Sequence, residues 1–125
     1  MLRSFRELTV WQKSMKLTES IYRLTKDFPR EEIYGLAAQI RRAAVSIPSN
    51  IAEGSGRSGI SEYRHFLSIA RGSNFEIQTQ LEIARTLNMG NQKLLDEALI
   101  LSEEIGKMLF AMLTKLGARN PQRAQ

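Results

Sequence analysis

Cysteine is absent from this 125-residue chain, and histidine occurs once. The first absence excludes disulfides, iron–sulfur clusters, thiolate zinc sites and cysteine nucleophiles together. The second leaves no histidine pair for a metal centre. Long hydrophobic runs are missing too: nothing approaches the roughly 18 to 20 consecutive apolar residues of a membrane helix. The opening stretch, MLRSFRELTVWQ, has no apolar core of a secretory signal. No membrane association and a cytoplasmic location are the expectation. Alternating strand patterns are also lacking, so a β-rich fold is not expected.

What is present is helical periodicity in a chain of ordinary globular composition, 42% hydrophobic and 25% charged. Its length fits one domain. Helices are predicted over 5–27, 31–55, 59–88 and 91–116. In the second, Ile33, Leu36, Ile40, Ala43 and Ile47 recur at spacings of three and four, with Glu31 and Glu32 in the first turn, where carboxylates suit the helix dipole. The third carries the row Ile60, Tyr63, Leu67, Ala70, Asn74, Ile77, Leu81 and Ala84, in which only Asn74 is polar. The fourth follows Leu94, Ala98, Leu101, Ile105, Met108 and Met112 to Gly117, expected as a left-handed cap. Ser58 and Asn91 are the predicted N-caps of helices three and four.

The links FPR, EGSGRSG and NMGN are short, which makes consecutive helices antiparallel neighbours. The predicted fold is all-α, an antiparallel up-down-up-down four-helix bundle over 5–116 with flexible tails at 1–4 and 117–125. Trp11, Ile40, Ile47, Leu67, Ile77, Leu81, Leu101 and Ile105 are expected inside. Helix one has more apolar residues than one seam needs, since Val10, Leu17, Ile21 and Leu24 lie well round from Trp11 and Met15. Self-association would cover the excess.

The stretch RRAAVSIPSNIAEGSGRSG, residues 41–59, looks chemical at first sight. GSGRSG matches a phosphate loop in composition only, with no preceding strand and no Gly-Lys-Ser/Thr ending. Pro48 removes the N–H that would reach the Ala44 carbonyl, which predicts a bend in helix two. Ser46, Ser49 and Asn50 are the candidates to satisfy the freed backbone. Glu53 is placed to cap or to pair with Arg41, Arg42 or Arg57. Gly72, inside helix three, suggests a close helix approach.

Catalytic chemistry finds little to build on. Glu62 and His65 form one Glu-x-x-His, but a di-iron bundle needs two, and the heptad turns His65 to solvent. Glu53, Glu62, Glu76, Glu82, Glu103 and Glu104 are spread over several turns. No catalytic residue, metal or cofactor is expected.

The run RRAAVSIPSNIAEG (Arg41 to Gly54, with Arg42, Ser46, Pro48, Asn50 and Glu53 inside it) comes with DFPREEIYGL and VWQ before it and IARGSNFE after it. Together these resemble the four-helix-bundle proteins of the 23S ribosomal RNA intervening-sequence family, across roughly residues 5 to 116. Asn74 and Phe75 depart from the pattern, in which a leucine commonly follows the serine. The resemblance implies a bundle whose genes often lie inside sequences inserted in ribosomal RNA genes. It also implies kinship with the accessory proteins of diversity-generating retroelements, pentameric barrels with a basic surface that contacts nucleic acid and a reverse transcriptase. A homo-oligomer, with five subunits favoured over two, follows from that kinship.

The net charge is +5, and residues 1–30 hold seven Lys/Arg against three acids, which is +4 of it. Arg6, Lys13, Lys16 and Arg23 fall within about 100° on the polar face of helix one. Arg64, Arg71 and Arg85 share one heptad position on helix three, where residues seven apart lie about 10 Å apart. These two rows are the candidate contacts for RNA or DNA, made mainly to phosphates because no aromatic residue is interleaved with the helix-one row. The competing function is a structural or adaptor oligomer that docks a protein partner, with acids interleaved among the basic groups.

Overall fold

The structure, a computed structural model, describes residues 4–118. The expected tail segments 1–3 and 119–125 lie outside the described residues, while Ser4 and Gly117 fall within ordered turns of the chain. Four α-helices form: α1 (Thr9–Thr25), α2 (Leu36–Ser55), α3 (Ile60–Thr86) and α4 (Gln92–Ala118). Short 3-10 turns at Phe5–Glu7 and Arg30–Glu32 precede α1 and α2. No strand occurs among the described residues. Each helix packs on its neighbours in sequence, and α1 closes the ring against α4, as the up-down-up-down order requires.

The periodic rows meet along the bundle axis. Leu17, Ile21 and Leu24 of α1, Ile40, Ile47 and Ile51 of α2, Leu67, Ile77 and Leu81 of α3, and Leu95, Ile105 and Leu109 of α4 are fully enclosed. Trp11 and Leu101, expected inside, are half-buried against this core, and Trp11 stacks edge-on with Phe5 at 5.3 Å. The apolar excess on α1 resolves accordingly: Val10, Leu17, Ile21 and Leu24 are core, and Met15 and Tyr22 remain outside.

Several local expectations are corrected. Helix two begins at Leu36, not at residue 31, because Pro29 opens a 3-10 turn and the Glu32 carboxylate then accepts from the Leu36 N–H at 3.0 Å. Ile33 therefore leaves the seam and is 51% exposed. Ser58 is not the cap of α3, which starts from Gly59 with no side-chain cap, whereas Asn91 does cap α4 through the Leu94 N–H at 3.0 Å. Gly117 is no left-handed cap, since α4 runs through it to Ala118. The left-handed positions are instead Asn88 (φ 55°) and Gly90 (φ 76°), in the α3–α4 turn. There the Met89 N–H reaches back to the Ala84 carbonyl at 2.9 Å, a 6→1 closure that needs its left-handed residue at Asn88. A Cβ on Gly90 would sit 2.8 Å from Leu24, which fixes the turn against α1.

The segment around Pro48 is architecture. Helix α2 continues unbroken through the buried Pro48. The Ala44 carbonyl, which proline cannot serve, is reached from another helix: the Thr18 hydroxyl of α1 lies 3.2 Å from it and 2.9 Å from the Ser14 carbonyl. Ser46 and Asn50 act elsewhere, Asn50 donating to the Ser46 carbonyl at 2.8 Å and to its hydroxyl at 2.9 Å, while Ser73 of α3 donates to the same hydroxyl at 2.8 Å. Arg41 donates to Thr25 Oγ1 at 2.7 Å and lies over the Tyr22 ring. Glu53 pairs with Arg57, one of its three expected partners. A Cβ on Gly54 would meet Phe66 Cβ at 2.8 Å and Tyr63 Cδ1 at 3.0 Å, so α3 packs tightly on α2 there. Gly72, in contrast, faces open space, and the close approach expected of it belongs to Gly54 and Gly106.

Candidate nucleic-acid interface

The two basic rows are built on different supports. Along α1, Lys13 Nζ lies 2.6 Å from Glu104 of α4 and Arg23 lies 2.6 Å from Glu19 one turn before it. Arg6 turns back on its own 3-10 turn, over the Phe5 ring and 3.2 Å from Ser4 Oγ. Lys16 is exposed and has no ion-pair partner among the described residues. Helix one thus spends much of its positive charge on internal carboxylates.

On α3 the row divides. Arg85 is held at the α3–α4 turn by Asp96 at 2.5 Å, Gln92 at 3.3 Å and Glu82 at 4.0 Å. The Asp96 hydrogen bond, with its charge, keeps the Arg85 guanidinium above its ordinary pKa. Arg64 and Arg71 have no carboxylate partner among the described residues. Both line a groove of about 560 Å³ between α3 and α4, together with Ser68, Phe110, Leu113, Thr114 and Gly117 and without an acidic residue. Arg64 Nε is enclosed and has no hydrogen-bond partner among the described residues. The Arg71 guanidinium carbon lies 5.1 Å from the Phe75 ring centre and 5.5 Å from that of Phe110. Those rings are 50% and 58% exposed, which is unusual for phenylalanine in a bundle of this size.

A polar joint ties α3 to α4 next to the groove, one helical turn along α3 from Arg71. Asn74 is fully buried, donates to the Ser102 carbonyl at 2.9 Å and accepts from the Ser102 hydroxyl at 2.7 Å. Gln78 donates to that hydroxyl at 3.1 Å. Gly106 leaves the room, since a Cβ there would lie 3.1 Å from Asn74 Nδ2. The one polar member of the predicted core row thereby fixes α3 against α4. Arg42, the exposed partner of Arg41, borders a separate shallow groove between α2 and α3 with Gln39, Ser46, Ser73 and Glu76.

The sequence missed Phe75 and Phe110. Phe75 stands one helical turn after Arg71, a signal that was available, but Phe110 joins them only when α4 packs on α3. Among the described residues no group of three or more His, Asp or Glu is placed to hold a metal ion, and His65 is exposed. No helix among them is long and apolar enough to cross a membrane.

Fold and surface together define an all-α four-helix bundle with a charged groove between its last two helices. A family model described as 23S rRNA-intervening sequence protein matches residues 6–111, and the chain belongs to that family. Among solved structures it is similar to a protein of unknown function from the S23 ribosomal protein family of Bacteroides thetaiotaomicron, with 26% identity over 84% of this chain and 95% of that one and a TM-score of 0.74. No curated protein matches the chain.

Proposed function

We propose that this protein is a non-enzymatic, oligomeric binding module of the cytoplasm that associates with RNA or DNA. The observation that carries this reading is the pair Arg64 and Arg71, two arginines in one groove with no carboxylate partner among the described residues. Guanidinium groups on a rigid helix suit phosphates, which they engage through planar, paired N–H donors. Lys16 and the exposed Arg6 of the helix-one row add charge, with Lys13 and Arg23 secondary because each already holds a carboxylate. Repetition of the groove around a ring of subunits, five by family kinship, would raise a modest single-site affinity by multivalency.

The adaptor reading rests on its own observation: Met15, Tyr22 and Val45 are exposed apolar residues on the outer side of the α1–α2 pair. They favour a protein contact on the face away from the groove. The test is titration of the purified protein with structured RNA, single strands and duplex DNA at several salt concentrations, with light scattering in parallel. Binding that weakens linearly in log salt supports the proposal, by about 0.7 per phosphate on single strands and 0.9 on duplex. Absence of binding at low salt, with an oligomer present, gives first place to the adaptor.

A further inference from the structure

Resting on the nucleic-acid reading, we infer that the α3–α4 groove selects single strands and holds them by stacking a base on Phe110 or Phe75. The helix-one row pointed to phosphate contacts alone, but the groove adds what that row lacks. Two exposed rings flank Arg71, Phe110 in the groove's lining and Phe75 one helical turn along α3, and Arg64 continues the basic line one heptad away along the groove. A base entering beside Arg71 meets an aromatic face and a guanidinium plane at once, the combination that retains unpaired bases without reading their sequence. The groove, at about 560 Å³, lies within the about 300–1,000 Å³ range of sites that take small-molecule-sized groups.

Charge decides the class of occupant. An apolar peptide would leave Arg64 and Arg71 facing it without counter-charge, whereas a polynucleotide supplies an apolar face and an anion in every repeat. A duplex supplies the anion but keeps its bases stacked on one another, so Phe75 and Phe110 gain nothing from it. Recognition is indifferent to the sugar, because the groove's hydroxyls, Ser68 and Thr114, can meet either backbone.

The test is fluorescence anisotropy with labelled oligo(U), oligo(dT) and a duplex of equal phosphate count. The proteins compared are the full chain, Phe110→Ala, Phe75→Ala, Phe110→Tyr and Arg71→Lys, each checked by circular dichroism and light scattering. Both rings are at least half exposed, so the fold should survive their truncation. The inference expects both single strands to bind more tightly than the duplex. It expects Phe110→Ala or Phe75→Ala to weaken single strands by about fivefold to one hundredfold with duplex binding unchanged. Phe110→Tyr should retain binding, and Arg71→Lys should lose it in part with the salt slope preserved. Equal affinity for duplex and single strands, unaffected by either phenylalanine, overturns the groove inference while the nucleic-acid reading stands. No binding to any oligonucleotide overturns both. Loss of the oligomer in Phe110→Ala, or competition by poly-glutamate equal to that by oligo(U), also overturns it, by showing the groove to be a protein contact.

Discussion

The basic rows of α1 and α3 are alike in the sequence and unlike in the fold. Both place Lys or Arg at helical spacing on one side of a helix, and residues 1–30, which include α1, carry +4 of the net charge of +5. Yet α1 lies beside Glu104 and carries its own Glu19, whereas the upper part of α3 faces a stretch of α4 that offers Phe110, Leu113, Thr114 and Gly117. Net charge in a segment is therefore a poor guide to available charge. The neighbour chosen by the bundle determines which cations are already satisfied: among the described residues Arg64 and Arg71 have no acidic partner, where Arg85, in the same heptad position, is held by Asp96.

The contrast can be broken most severely by loosening α3 from α4. Asn74→Ala should destabilise the fold by about 2–4 kcal/mol, because it opens a cavity, removes the acceptor of the Ser102 hydroxyl proton and removes the side-chain donor to the Ser102 carbonyl. Urea unfolding measures this, and oligonucleotide binding should fall with it as α3 loosens from α4. Gly54→Ala acts from the other side of α3, pressing a methyl against Tyr63 and Phe66 at about 1–3 kcal/mol. An unchanged midpoint in either variant would show that the joint is not what positions the row.

Charge removal sharpens the contrast with less damage. Replacing Arg64 and Arg71 together by glutamine should lower the single-strand salt slope by about 1.4, one full phosphate term each. The same change at Lys13, Lys16 and Arg23 should lower it by less than the about 2.1 that three free cations would give, because two already hold carboxylates. Equal losses per residue from both rows would remove the distinction.

A smaller effect is expected at high pH. Burial raises the pKa of the Tyr63 phenol above its ordinary 10.0, so the folded protein keeps a proton that the unfolded chain releases. That contribution to stability is fully present below pH 10.0 and is lost as pH rises through the higher folded value. Tyr63→Phe should flatten this alkaline decline when unfolding is followed by guanidinium titration. The least effect belongs to the Lys13–Glu104 pair, for which a double-mutant cycle should return about 0.2–1 kcal/mol and vanish at high salt.

What the sequence made legible follows from range. The rows Leu67, Ala70, Asn74, Ile77, Leu81 and Ala84 in α3 and Ala98 and Ile105 in α4 were readable because heptad spacing is local and a buried seam repeats it faithfully. Ile33 was misassigned because the three-residue spacing to Leu36 fits the seam while the helical backbone begins only at Leu36, where the Glu32 carboxylate caps it. The glycines were harder. Gly72 and Gly54 are equivalent as letters, and only the path of the facing helix makes one a contact point and the other a bystander. The groove was half readable: Arg64 and Arg71 could be named, but the rings beside them come from two helices, and no spacing along one helix announces a face shared between two.

The carbonyl that Pro48 leaves unserved has a consequence for motion. Because the hydroxyl that reaches it, Thr18, belongs to α1 and is shared with the Ser14 carbonyl, a fluctuation that parts α1 from α2 removes this contact as well as exposing apolar surface. Small independent openings of either helix near that point are thereby discouraged. The amides flanking Ala44 and Thr18 should exchange with solvent at a common rate, so that the first two helices open as one hinged leaf while the α3–α4 groove stays closed behind them.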